Sequence, residues 1–295
     1  MKEERVFNFL KFKSFFLFVF LATFVFSIFS IFYFKIKMGL DFKGGTIIEI
    51  EFEKEKPNIQ EIKKVLNELN LGAIILQETD QNRVLLKLRE ISEKERIQIF
   101  EKLKGAKEIR SEMVGPVISS ELKRKSIWLT IFSLVTILIY ISLAFKKIAE
   151  KLSSFIFSLV SFLGLFQNTL FLLGIVSILG KFFNVEFNIP ILISILTCLG
   201  YGINDTIVFF DRLRENVLKR KGKNISEIIN LAISQTFTRQ VNTSLTTIFP
   251  VLAILFFNVE SLKFFSLILI LGILNSTLFS LFIAGSLVKL IAREL

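Results

Sequence analysis

The chain has 295 residues, of which 52% are hydrophobic, and its apolar residues cluster in long runs almost free of charge, which excludes an ordinary soluble globular protein. Lysine and arginine outnumber aspartate and glutamate by 37 to 26, but the excess lies in short segments beside the apolar runs, which indicates membrane topology and not nucleic-acid binding. With no histidine and one cysteine, Cys198, the sequence excludes histidine-based catalysis, histidine metal sites and an intrachain disulfide.

Six apolar runs follow a basic N-terminal segment, residues 1–13, and each is long enough to cross a bilayer, for which a helix needs about 20 residues. They lie at residues 14–34, 127–145, 152–179, 188–210, 241–258 and 262–288. The first run is too long for the apolar part of a signal peptide, and no small-residue cleavage site follows it, so we expect a retained anchor. The sequence thus predicts a polytopic α-helical membrane protein with six transmembrane helices, five of them in a membrane domain over residues 127–295.

The region between the first two runs, residues 35–126, is polar and alternates between strand-like and helix-like patterns. Strands are predicted at 45–53, 73–78, 83–88 and 107–114, and helices at 58–69 and 92–103. The second helix begins with a Ser-x-x-Glu pattern, Ser92 to Glu95, which predicts a capping box. The order β-α-β-β-α-β predicts a ferredoxin-like α+β domain. Its carboxylates are scattered over solvated faces and form no catalytic constellation, so a binding or mechanical role is the preferred interpretation.

The distribution of lysine and arginine predicts the orientation, because cytoplasmic loops carry an excess of both. These residues cluster at 1–13, 146–151 and 211–223 and near the C-terminus, whereas the loops on the opposite side hold few. We therefore expect both termini in the cytoplasm and residues 35–126 on the outer side of the membrane. Residues 224–237 begin with a capping pattern and continue with an isoleucine-rich stripe, which predicts a cytoplasmic amphipathic helix along the inner membrane surface.

A single acid, Asp205, lies at depth within the last five predicted spans. At about 1.5 Å per residue, it precedes Arg212 at the end of its helix by about 10 Å. An ionised carboxylate there costs about 2.5–3.5 kcal/mol, so it is expected to have a partner and a function. The alternative is an aspartate that merely hydrogen-bonds to a neighbouring helix.

The predicted partner of Asp205 is Arg239, at the start of the next span, where polar residues recur three or four positions apart on one helical face. This face consists of Arg239, Asn242, Thr243, Thr246 and Pro250. Each member also has an ordinary explanation, because flanking arginines set topology and threonines join membrane helices. Amides in three other spans would extend the face into a polar track through the bundle. They are Gln167, Asn168, Asn204 and Asn275.

Ion coupling is the predicted role of Asp205, since ionisation would allow it to pair with Arg239 and protonation would release that attraction and let the helices repack. The sequence contains no phosphate-binding loop, no nucleophile beside a base and no metal-ligand cluster. We therefore expect no enzymatic activity, no cofactor and no metal site. The lipid bilayer is an expected partner and nucleic acid is not.

Four segments of the chain resemble the SecF family, the smaller half of the SecDF protein-export membrane complex. They are GLDFKGGT (39–46), VGPVIS (114–119), GYGINDTIVFFDRLREN (200–216) and TRQVNTSLTT (238–247). They occur in the family's order, and the resemblance extends over nearly the whole chain. The third is the most specific of them, and it distinguishes this family from SecD, which has a larger exported region and a different version of the segment.

The resemblance implies half of a resistance–nodulation–division-type bundle, with SecD supplying the other half. It implies a location in the bacterial cytoplasmic (inner) membrane, with the SecYEG translocon, its associated membrane factors and unfolded preprotein as partners. The expected function is use of the proton-motive force, or of sodium, to assist Sec-dependent translocation and insertion of preproteins. Asp205 and Arg239 match the ion-coupling positions of the family, and Asn204 and Thr206 flank the acid in the same motif.

One departure from the family concerns Gln167 and Asn168, which stand where many members carry a His-Asp pair. Neither amide titrates, so the coupling ion stays open between protons and sodium. Two alternative functions are compatible with the sequence. A small-molecule or lipid exporter of the same superfamily usually has twelve spans in one chain, and a non-transporting scaffold of the translocon would not need the carboxylate of Asp205.

Overall fold

The computed structural model describes residues 8–52, 57–69, 71–72, 74–80, 82–103, 105–145, 154–219, 224–257 and 260–292. The chain divides into two compact units, which we call the small unit, Met38–Trp128, and the helical unit, Met1–Lys37 with Leu129–Leu295. Several predicted features lie outside the described residues. They are positions 1–7 of the N-terminal segment, residue 53 of the first strand, residue 73 of the second, the basic segment 146–151, positions 152–153 of the third span, positions 220–223 of the basic segment 211–223, position 258 of the fifth span and residues 293–295 at the C-terminus.

Long helices account for most of the helical unit. A 3-10 turn, Phe9–Phe12, leads into α1 (Lys13–Phe34), and α5 (Pro116–Ala144) returns to this unit from the small one. The helices that follow are α6 (Ser154–Phe182), α7 (Ile189–Lys219), α8 (Ile225–Phe256), α9 (Glu260–Leu278) and α10 (Ala284–Ile291), with a π segment, Phe279–Ile283, between the last two. A π-helical turn inside an α-helix often marks a functional position.

Five of the described helical stretches are long and apolar enough to cross a membrane. They are Phe9–Phe34, Pro116–Ala144, Phe155–Phe182, Ile189–Lys219 and Leu262–Ile291. The remaining predicted span, 241–258, falls in α8 and is not among them, because the first half of that run contains several amides and hydroxyls. The chain therefore has at least five helices of membrane-spanning character.

The predicted separate amphipathic helix, 224–237, needs correction. In the structure it is the first part of α8, which runs without interruption into the predicted span. No helix-breaking residue lies between the two segments, so the backbone hydrogen bonds continue. Its isoleucines do not lie on a membrane surface, since Ile228, Ile229 and Ile233 are buried in an apolar cluster with Phe209 of α7.

The small unit contains β1 (Gly45–Phe52), α3 (Ile59–Asn67), β2 (Ile75–Asp80), β3 (Arg83–Leu88), α4 (Glu93–Lys102) and β4 (Ala106–Val114), after a single turn, α2 (Leu40–Lys43). The predicted order of strands and helices is confirmed. The strands form one antiparallel sheet in the order β2-β3-β1-β4. Alternate residues of β1 and β3 are buried with Ile62, Leu66 and Ile99 of the helices, because side chains of a strand point alternately to its two faces.

The predicted capping box at the start of α4 is also confirmed. The backbone N–H and the hydroxyl of Ser92 donate to Glu95 at 2.7 and 2.9 Å, and the Ser92 side chain in turn accepts from the Glu95 N–H. These hydrogen bonds from Ser92, with a further one from Arg89, hold the pKa of Glu95 below its usual value. The carboxylate form is thus the one that this turn favours.

Candidate functional site

Asp205 lies in α7 and is 1% exposed. Its Oδ2 accepts a hydrogen bond of 3.0 Å from the Thr277 hydroxyl of α9. The two helices approach closely beside this contact, since a Cβ on Gly202 would lie 3.0 Å from the Cβ of Ser276. A glycine at this position therefore lets α9 come near enough for Thr277 to reach the acid.

Hydroxyl groups continue from Thr277 towards α8. The oxygens of Thr277 and Ser244 are 2.7 Å apart, and the Tyr201 hydroxyl donates to the Ser244 oxygen at 3.2 Å. Both Ser244 and Thr277 are buried. This arrangement connects the carboxyl of Asp205 through two further hydroxyls to Tyr201, which is only half-buried.

Gln240 of α8 also contacts Asp205 and links it to the π segment. Its amide nitrogen donates to the backbone carbonyl of Asp205 at 3.2 Å, and its amide oxygen accepts from Ser280 of the π segment at 2.7 Å. Gln240 and Ser280 are buried as well. We call Tyr201, Asp205, Gln240, Ser244, Thr277 and Ser280 the Asp205 cluster. It joins α7, α8, α9 and the π segment at one buried point.

The predicted ion pair between Asp205 and Arg239 is not formed in the part of the chain that the structure describes. Arg239 is exposed, and so are Asn242 and Thr246, while Thr243 is half-buried and donates to the carbonyl of Arg239 within its own helix. Successive residues of a helix are about 100° apart, so the pattern correctly grouped these residues on one face. It did not show that the adjacent face, with Gln240 and Ser244, is the one packed inward.

The amides Gln167, Asn168 and Asn275 form a second group, which we call the amide cluster. Asn275 of α9 donates to Asn168 at 2.7 Å and to Gln167 at 3.1 Å, and Gln167 donates to Thr23 of α1 at 3.2 Å. Among the described residues, no hydrogen bond connects this cluster to Asp205. The predicted continuous track is therefore two clusters that share one helix, α9.

The two residues beside Asp205 behave differently from each other. Asn204 is exposed, whereas Thr206 is buried and donates to the carbonyl of Gly202 in its own helix at 2.9 Å. Neither contacts the carboxyl through a hydrogen bond in the described structure. The sequence prediction also missed Gln240, Ser244, Thr277 and Ser280, although each pair, 240/244 and 277/280, has the spacing of one helical face.

The carboxyl of Asp205 can act either as a hydrogen-bond acceptor or as a donor, depending on whether it is ionised. As a carboxylate it accepts the hydrogen bond from Thr277, and as a carboxylic acid it can donate one itself. A carboxyl buried among apolar membrane-spanning helices is costly to keep charged, which makes Asp205 the candidate functional residue of this unit. The surrounding hydroxyls can each both donate and accept, so they tolerate either state.

Together, the apolar helices, the buried carboxyl among them and the separate sheet unit define a polytopic helical membrane protein with one α+β unit inserted after its first long helix. The chain matches the family model for the C-terminal region of the protein export membrane proteins SecD and SecF over residues 95–294, and that for the SecD/SecF GG motif over residues 29–56. It belongs to the SecD/SecF family of protein export membrane proteins, on the SecF side.

Individual relatives agree with this assignment. The protein translocase subunit SecF of Sebaldella termitidis is 35% identical over 279 residues, which are 91% of this chain and 86% of the relative. That of Rickettsia felis is 30% identical over 271 residues, 88% of this chain and 84% of the relative. The crystal structure of SecDF, a translocon-associated membrane protein from Thermus thermophilus, superposes with a TM-score of 0.82 at 29% identity. It covers 98% of this chain, which spans 39% of that longer chain.

Proposed function

We propose that the chain works as the SecF half of a SecDF complex, in which an ion gradient assists the Sec-dependent translocation and insertion of preproteins. The observation that carries this proposal is the carboxyl of Asp205, which is 1% exposed among apolar helices and accepts a hydrogen bond from Thr277. A charge moving through 100 mV yields about 2.3 kcal/mol, which is enough to shift a conformational equilibrium more than tenfold. The proton-motive force is the preferred source, with sodium as the other candidate.

The conformational step follows from the hydrogen bonds of α9. Loss of the carboxylate on protonation changes the contact between Asp205 of α7 and Thr277 of α9. The same helix carries Asn275, which is held by Gln167 of α6, and Gln167 is held by Thr23 of α1. A displacement of α9 would therefore reach α1, and α1 leads along the chain into the small unit.

SecD is the proposed partner of the exposed polar face of the helical unit. Asn204 of α7 and Arg239, Asn242 and Thr246 of α8 are exposed, although they lie on or beside predicted spans. Polar side chains at membrane depth are expected to face protein or water and not lipid. Arg239 would then pair with groups of the other subunit, or reach Asp205 in another state of the cycle. We further propose that the SecYEG translocon and unfolded preprotein are partners of this complex.

The finer architecture belongs to the same proposal. We take α8 to be a further transmembrane helix, the fifth in chain order, which brings the number to six, because it packs against α7 and α9 and its second half, up to Phe256, is apolar. The sheet order β2-β3-β1-β4 with two helices supports a ferredoxin-like class for the small unit. We further propose that both termini lie in the cytoplasm and the small unit on the outer side of a bacterial cytoplasmic membrane, because basic segments favour the cytoplasmic side.

The decisive experiment replaces Asp205 by asparagine in membrane vesicles that contain the SecD partner. We expect Asp205→Asn to abolish the stimulation of preprotein export by the gradient, while complex assembly survives. Glu227→Gln removes an exposed carboxylate from α8 and is the matched control, expected to keep the stimulation. Full stimulation in the Asp205→Asn variant would show a non-transporting scaffold instead. Varying sodium at a fixed proton gradient identifies the ion.

A further inference from the structure

A cavity of about 380 Å³ lies beside the C-terminal part of α7, where the charged residues of that helix begin. Its walls come from α5 and the residue after it, from α7 and from α8. The polar part is lined by Asp211, Arg212, Arg214, Gln235, Thr236 and Arg239. The apolar part is lined by Ala144, Phe145, Ile207 and Val208, with Tyr140 beside them. The volume is within the range of ordinary small-molecule sites.

Positive charges outnumber negative charges around this cavity. Glu215 is shared between Arg212 and Lys219, each at 2.6 Å, and Asp211 lies 3.9 Å from Arg214. Arg239 forms no ion pair with any of the described residues. Four cations thus face two carboxylates, and three of the cations are guanidiniums that line the cavity itself. Guanidinium groups are suited to phosphate oxygens, which they bind in pairs.

The surface next to the cavity is apolar and uncovered. Tyr140 and Leu143 of α5 are 58% and 66% exposed, and only 6% of the most apolar 18-residue stretch of α5 is buried. Since α5 has membrane-spanning character, this surface is where acyl chains would lie. A ligand that matches both the basic lining of the cavity and the apolar surface beside it carries a negative phosphate at one end and an apolar chain at the other. Anionic phospholipid of the cytoplasmic leaflet has that chemistry and is attracted to basic residues at this boundary.

We propose that this cavity binds the phosphate headgroup of an anionic phospholipid, whose acyl chains pack along the exposed face of α5. Arg239, which has no ion-pair partner among the described residues, holds the phosphate together with Arg212 and Arg214, and Tyr140 lies at the boundary between headgroup and chain. The site shares no residue with the Asp205 cluster. It rests on the orientation proposed above, which puts this end of the helical unit at the cytoplasmic leaflet, but not on the coupling of export to a gradient.

The test measures lipid retained by the full chain. The purified protein is equilibrated with equal amounts of phosphatidylglycerol and phosphatidylcholine, and the bound lipid is counted by native mass spectrometry. We expect preferential retention of phosphatidylglycerol, lowered about fivefold for each arginine removed in Arg212→Gln and Arg214→Gln. A second variant, Ala144→Trp, fills the cavity without changing charge and is expected to lower retention as well.

The matched control is the double variant Lys11→Gln with Lys13→Gln, which removes the same charge from exposed positions in the 3-10 turn and at the first residue of α1. Equal losses in this control and in the Arg212→Gln, Arg214→Gln double variant would show attraction to overall charge, and the proposal would be wrong. Displacement of the lipid by millimolar inorganic phosphate would show a site for soluble phosphate instead. Unchanged melting temperatures confirm that each variant is folded. Export assays do not enter the outcome, so this inference and the proposed function fail separately.

Discussion

The hydrogen bond between Thr277 and Asp205 permits a direct test of the buried cluster. Replacing Thr277 by valine keeps the branched shape of the side chain and removes the hydroxyl that lies 3.0 Å from Oδ2 of Asp205. Among the described residues, no other group donates to this carboxyl. The same change also removes the 2.7 Å contact with Ser244. The variant therefore leaves a buried acceptor without a donor.

Two typical magnitudes give a lower and an upper limit for the expected loss of stability: the contribution of one hydrogen bond between membrane helices and the cost of one unsatisfied buried polar group. Hydrogen bonds between membrane helices contribute about 0.6 kcal/mol on average and about 1.7 at most. Leaving a buried polar group unsatisfied costs about 1–3 kcal/mol, and more when the group is charged. Because Asp205 is 1% exposed, we expect Thr277→Val to lower the free energy of unfolding by about 1.5–2 kcal/mol. In an Asp205→Asn background the loss should be smaller by about 1 kcal/mol.

The assay is reversible unfolding of the full chain in mixed micelles at increasing detergent denaturant, followed by circular dichroism. Thr197→Val is the matched control, because Thr197 is exposed and its hydroxyl donates at 2.8 Å only to the carbonyl of Ile193 in its own helix. A change within about 0.5 kcal/mol is expected there. If Thr277→Val costs no more than this control, or costs the same in both backgrounds, the hydroxyl does not stabilise the carboxyl and the reasoning fails.

Two further predictions concern packing and pH. A Cβ on Gly164 of α6 would overlap the ring of Phe279 in the π segment, so Gly164→Ala should destabilise the helical unit by about 1–2 kcal/mol in the same unfolding assay. Gly200→Ala is the control, because a Cβ on Gly200 would contact no other atom, and it should be neutral or stabilising. Because the pKa of Glu95 is lowered in the folded state by its hydrogen bonds to Ser92, its contribution is present above the unfolded pKa of about 4.3 and is lost as pH falls through the lower folded value. The protection factors of the amide hydrogens in the first turn of α4, which correct for the intrinsic pH dependence of amide exchange, should therefore fall on acidification in the native chain and show no such acid step in Glu95→Gln. Equal acid dependence of the protection factors in the two proteins would show that the carboxylate of Glu95 does not stabilise this turn.

The sequence alone predicted those features that depend on neighbours along the chain. Apolar runs located the long helices, because the length needed to cross a bilayer is a local property. Alternating patterns and the Ser92–Glu95 capping box located the strands and helices of the small unit in their correct order. Asp205 was recognised in the same way, since a carboxyl inside an apolar run is unusual wherever that run packs.

Tertiary structure decided which groups meet. Periodicity shows that Arg239 and Asn242 share one face of α8 and that Gln240 and Ser244 share another, but it does not show which face points inward. The inward direction is set by α7 and α9, whose Asp205 and Thr277 are 72 residues apart in the chain. The length of α8 was decided similarly, because the buried isoleucines of its first half pack on helices remote in sequence and not on a membrane surface. Local chemistry therefore determines that helices and a buried acid exist, and packing between distant segments determines the partners of that acid.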